Sequence, residues 1–118
     1  MTDLARQECD TPLHTLFADF ERSQRFVVVH CWAKWNGYDV SMRRFLEELP
    51  PAISHKVALG RLDFDTEADP GFVREYRIGN LPALLLFRDG HHVHTHIGLC
   101  TPSRIENMLR DLIAGSSW

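Results

Sequence analysis

The run Phe26-Val-Val-Val-His-Cys31 constrains this chain more than any other stretch. Three successive valines suit a strand buried on both faces, because β-branched side chains pack well on a pleated surface. Trp32-Ala-Lys-Trp-Asn-Gly-Tyr-Asp39 follows at once, and then the period changes. Met42, Phe45, Leu46 and Leu49 recur at i, i+3, i+4 and i+7, the apolar stripe of a helix. Trp32 to Asp39 is therefore a junction between a central strand and a helix. At such junctions the helix N-terminus offers free backbone N–H groups, and binding and chemistry collect there.

The rest of the chain supplies the layers that such a strand needs. Met1 to Asp10 are polar, with only a weak signal for a short first strand. Thr11-Pro12 reads as a helix cap and first helical residue, and Leu13, Leu16, Phe17 and Phe20 carry a stripe to about Arg22. The helix that contains Met42 stops at Pro50-Pro51, since a residue before proline is pushed out of the helical region. Val57 to Asp65 alternates as a strand, Thr66 to Pro70 is a turn, and Gly71 to Tyr76 is a short helix. Leu81-Pro82 then leads a buried strand that ends in Asp89-Gly90, a hairpin turn on its own terms. His91 to Ile97 returns, Gly98 ends the strand, and Thr101-Pro102 caps a last helix from Ser103 to about Ala114. Its stripe is Ile105, Met108, Leu109 and Leu112. The order (β)αβαβαββα predicts an α/β fold in one domain over residues 1–118, with residues 1–10 poorly defined.

Two stretches resemble the thioredoxin family. There a buried strand runs into Trp-Ala-x-Trp-Cys-Gly-Pro-Cys and a helix. Here Trp32, Ala33, Trp35 and Gly37 are in place, while Asn36 and Asp39 occupy the two cysteine positions. The segment from Arg77 to Gly90 is similar to the family's second hallmark, a loop ending in proline, a buried strand and a hairpin. The resemblance runs from about Pro12 onward. It implies a thioredoxin fold: a central mixed sheet of four or five strands flanked by helices, with a cis-proline at Pro82 before the C-terminal hairpin. It also implies a shallow binding surface built from Trp35, Asn36, Gly37, Tyr38, Asp39, Leu81, Pro82, Gly98 and Leu99. In the family the backbone edge at the cis-proline pairs with an extended peptide, and that mode of binding needs no cysteine.

Dithiol exchange needs a thiolate to attack and a second thiol to resolve the mixed disulfide. An amide and a carboxylate supply neither. The family's buried acid, two residues before the first tryptophan, corresponds to His30, and a lysine on the next strand to Arg61. The resemblance therefore implies a redox-inactive protein with no catalytic residue and no cofactor, whose partner is a protein or an extended peptide. Asn36 is also a favoured N-cap residue, and Asp39 lies where a capping-box acid sits. The helix dipole favours a first-turn carboxylate by about 0.3–1 kcal/mol. A ligand-binding or acid–base role for these two residues is the other reading. Trp32 is expected in the core and Trp35 on the surface as an anchor.

Cys9, Cys31 and Cys100 are an odd number without a Cys-x-x-Cys spacing, which argues against a disulfide framework and against a cysteine zinc site. Cys31 reads as a small buried hydrophobe. Cys100 begins the last helix, where a thiol pKa can be lowered. An oxidoreductase or redox sensor working through that single thiol is an alternative. His91-His-Val-His-Thr-His96 is a further one, since alternation puts His92, His94 and His96 on one face, neighbours about 7 Å apart. Metal binding there competes with simple polarity on an edge strand. A net charge of −3 gives no electrostatic case for nucleic acid or an anionic membrane. No apolar run reaches spanning length and the N-terminus lacks a secretory pattern, so a cytoplasmic location is expected.

Overall fold

The computed structural model describes residues 25–68 and 70–115. The helix expected from Pro12 to about Arg22 and the weak first strand lie outside them. The elements in order are β1 (Phe26–Trp32), α1 (Tyr38–Glu47), α2 (Pro51–Ser54), β2 (Val57–Asp63), α3 (Phe64–Glu67), α4 (Pro70–Glu75), β3 (Ala83–Arg88), β4 (His91–Ile97) and α5 (Pro102–Ala114). The sheet order is β2-β1-β3-β4. β1 pairs parallel with β2 and antiparallel with β3, and β3 pairs antiparallel with β4.

The valine run is central, as its composition requires, and Phe26 to Cys31 are all buried. Alternation divides β1 between two cores. Val27, Val29 and Cys31 join Leu85 and Phe87 on one face, against Phe72, Val73 and Tyr76 from α4 and its end. Val28 joins Leu84 and Leu86 on the other, against Met42 and Leu46 of α1 and Ile105, Leu109 and Leu112 of α5. Each such side chain contributes about 1.5–3 kcal/mol when fully buried. His30, an even-numbered neighbour of Val28, is thereby turned toward α1.

Two short helices depart from the expected pattern. Pro50 stops α1, but Pro51 stands in the first turn of α2, where a missing N–H costs nothing. α2 then buries Ile53. β2 ends at Asp63 rather than Asp65, because the Asp63 side chain accepts from the Asp65 N–H at 3.0 Å and starts α3. Glu67 reaches back to accept from the Asp63 N–H at 2.8 Å. The hairpin is built as the sequence predicts, with Asp89 at φ 52° and Gly90 at φ 80°, the two positive values that a type I′ turn demands. Thr101 caps α5 by accepting from the Arg104 N–H at 3.2 Å. Gly115, at φ 83°, closes it in the left-handed conformation.

Candidate functional site

At Trp32 the chain leaves the sheet, and residues 33 to 37 turn it into α1. The Asn36 N–H donates to the Ala33 carbonyl at 3.1 Å, and the Asp39 N–H to the Asn36 carbonyl at 3.2 Å. The Asn36 side chain works in two directions. Its Oδ1 accepts from the Tyr38 N–H at 2.9 Å, an Asx turn that satisfies one free donor of the helix start. Its Nδ2 donates to the Leu81 carbonyl at 2.9 Å and ties α1 to the loop before β3. Gly37 is the backbone N-cap and makes no side-chain cap bond.

Asp39 corrects the expectation of a capping acid on the binding surface. It is only 6% exposed, and its Oδ1 lies 3.0 Å from Nε2 of His30, itself 1% exposed. Its Oδ2 accepts from the Ala33 N–H at 3.1 Å. The helix opens at Tyr38, so Asp39 is its second residue and is rotated about 100° inward from Tyr38. Burial lowers the His30 pKa below 6.5; Arg61 and Arg43 push the same way, and the hydrogen bond and charge of Asp39 oppose them. His30 Nδ1 is buried without a partner. The arrangement suits a neutral imidazole that donates from Nε2, because a proton on Nδ1 would add a buried donor with nothing to receive it.

The second wall is the loop at Pro82, where the Leu81–Pro82 peptide is cis. Leu81 and Pro82 are buried, so neither side chain offers a surface. The Leu81 N–H donates to Asn80 Oδ1 at 2.9 Å, its carbonyl receives Asn36, and the Pro82 carbonyl accepts from the Gly98 N–H at 2.8 Å. The open backbone edge expected here is instead occupied by the protein's own groups. Gly98 is half-buried at φ 92°, and Leu99 beyond it is exposed.

Exposed apolar area is concentrated on other members of the set. Trp35 and Tyr38 are each 65% exposed, and the Trp35 indole N–H donates to Asp65 Oδ1 at 3.3 Å. Trp32, expected in the core, is only half-buried, with the Arg61 guanidinium 4.7 Å from the centre of its ring.

Cys31 is fully buried, as expected. Cys100 is half-buried against the core on the α5 side. Burial pushes its thiol up, with Arg104 pulling the other way, a direction opposite to the lowering that the single-thiol alternative invokes. The histidine strand also needs correction. A bulge between Leu86 and Phe87 pairs Leu86 with His94 but Phe87 with His92, leaving Val93 as the extra residue. His92 therefore lies on the Phe87 face, in edge contact with Tyr76 at 5.1 Å and 2.7 Å from Thr95 Oγ1. His94 and His96 face a cleft of about 570 Å³ beside α5, shared with Arg104, Asn107 and Asp111. Among the described residues no three His, Cys, Asp or Glu side chains are grouped to hold a metal.

The sequence reading missed the pairing of His30 with Asp39 and the parts played by Asn80 and Asp65. One signal was available: a histidine within an otherwise apolar buried strand requires a polar partner, and the first turn of the next helix is the nearest source.

The mixed sheet, the strand-to-helix junction and the cis-proline loop facing it define a thioredoxin-fold domain. The sequence pattern of the thioredoxin family matches residues 13–111. The chain belongs to the thioredoxin family. It is 29% identical to a thioredoxin of Mycolicibacterium smegmatis over 76 residues, 64% of this chain and 68% of that one. It is 28% identical to a thioredoxin of Mycobacterium tuberculosis over 114 residues, 96% of this chain and 97% of that one. Among solved structures, a mutant thioredoxin from Halobacterium salinarum superposes with a TM-score of 0.70 at 22% identity, covering 83% of each chain.

Proposed function

We propose that this chain is a protein- or peptide-binding module on the thioredoxin fold, without dithiol activity. One observation carries the reading. Asn36 and Asp39, at the two positions where the family resemblance puts cysteines, are tied into the framework, while Trp35 and Tyr38 beside them stand 65% exposed. A structural role for the two polar residues leaves the aromatic pair as the part of the junction available to a partner, and aromatic anchors dominate binding energy at interfaces. The partner class is a protein or extended peptide, in an assembly or chaperone-like role. The net charge of −3 supports neither nucleic acid nor an anionic membrane, and among the described residues no helix is long and apolar enough to cross a membrane. The cytoplasm is the location that fits.

Reduction of insulin in the presence of a dithiol donor tests the chemistry. No turnover above the donor alone is expected, and turnover at a thioredoxin's rate would refute the reading. Affinity capture with the native protein and with Trp35→Ala tests the surface, and partners retained by the first should be lost by the second.

A second reading rests on the relatives, which carry the name thioredoxin. This reading uses a single thiol, and among the described residues Cys100 is the half-buried candidate. Its raised pKa predicts slow reaction. Mass spectrometry after mild peroxide should find no preference for Cys100, and selective modification there would restore this reading.

A further inference from the structure

Backbone groups that run past the end of a sheet ladder are normally open to water or to another chain. β3 continues backwards beyond Ala83 in this way. On the β4 side the ladder extends by one bond, from the Gly98 N–H to the Pro82 carbonyl. On the opposite side β1 has already turned away, since its pairing with β3 ends at Cys31 and Ala83. The N–H and carbonyl of Leu81 are left without a strand. Two asparagine side chains fill the vacancy: Asn80 Oδ1 accepts from the N–H and Asn36 Nδ2 donates to the carbonyl, each at 2.9 Å. A residue in a neighbouring strand would offer the same pair, one acceptor and one donor.

We propose that Asn36 is a built-in competitor for the Leu81 carbonyl, a side-chain latch that an extended peptide must displace before it can pair with this edge. The proposal rests on the peptide-binding reading above and deepens it. Asn36 is suited to the role by its position. Its backbone and Oδ1 are held by the turn into α1, so the Nδ2 group is presented to Leu81 with little freedom left to lose. A peptide N–H arriving at Leu81 exchanges one hydrogen bond for another and gains only its side-chain contacts. Binding is therefore selective for peptides that also engage Trp35 or Tyr38. Weak backbone-only pairing is suppressed.

The variant that isolates the latch is Asn36→Asp, which keeps an oxygen for the Tyr38 N–H, removes the donor and changes little in size. Asn36→Ala is the second variant, so that the carboxylate's charge does not decide the outcome. Native protein and both variants are titrated with a library of end-capped octapeptides of random sequence, and with the best binders remade carrying N-methyl groups at successive positions. Both variants should bind the selected octapeptides about tenfold more tightly than the native protein, the value of one recovered hydrogen bond. One N-methyl position should abolish that gain. Equal affinity for all three proteins overturns the latch alone. Binding by none of them overturns the peptide reading and the latch with it. In the native protein, one Asn36 side-chain amide proton should also exchange slowly in nuclear magnetic resonance spectra, and exchange at the rate of a free amide would overturn the latch directly.

Discussion

Asp39 shows how much one position can change meaning between sequence and structure. Three places after Asn36 it has the spacing of a capping acid, yet its carboxylate is shared between the His30 imidazole and the Ala33 N–H. Removing one partner of a buried hydrogen bond leaves the other unsatisfied, which typically costs about 1–3 kcal/mol, and Asp39 holds two such bonds. Asp39→Ala should therefore lower stability to urea by about 3 kcal/mol, and His30→Ala should be comparably damaging. Asp39→Asn, which keeps an acceptor oxygen, should cost less than either. Trp35→Ala makes the opposite prediction. Its side chain is exposed and bonded only to exposed Asp65, so stability should move by less than about 0.5 kcal/mol while partner binding falls. A melting temperature lowered as far as by Asp39→Ala would show that Trp35 is part of the framework.

Among the elements, those with strong local signals form as the sequence predicts. The valine strand, the Asp89-Gly90 hairpin and the Thr101-Pro102 helix start each have a cause within a few residues. Thr101→Ala removes the bond to the Arg104 N–H and should destabilise the protein by about 1 kcal/mol, measurable by urea unfolding. A milder loss would mean that water replaces the cap. Elements settled by tertiary pairing were not legible. The bulge in β4 carries no glycine or proline to announce it, and it alone puts His92 on the opposite face from His94 and His96. α2 was hidden because Pro50-Pro51 reads as a stop, although its second proline is a valid first-turn residue. At the site, the exposure of Trp35 and Tyr38 fits their polar surroundings in sequence. The enclosure of Leu81 by Asn36 and Asn80 depends on a contact across 45 residues that no local pattern reveals.

At the scale of the molecule, burial shifts four histidines among the described residues in one direction. His30, His92, His94 and His96 all have pKa values below 6.5, chiefly because their surroundings disfavour the charged ring. Between those values and 6.5 the unfolded chain binds more protons than the native protein, so stability rises with pH there. The contribution is complete above 6.5 and drains away as pH falls through the folded values. Glu67, whose pKa is raised by burial, works in the opposite sense as a single group. The midpoint of urea unfolding should therefore drop on going from pH 8 to pH 5.5, and His30→Gln should make the drop shallower. A midpoint that is flat across this range would count against neutral buried imidazoles.

The pair joining β1 to α1 also couples what the two elements can tolerate. A cysteine at position 39 alone would leave the His30 ring and the Ala33 N–H without their partner in the interior. A change at position 39 that removes the carboxylate therefore calls for a matching change at His30, so the strand and the helix are bound to vary together.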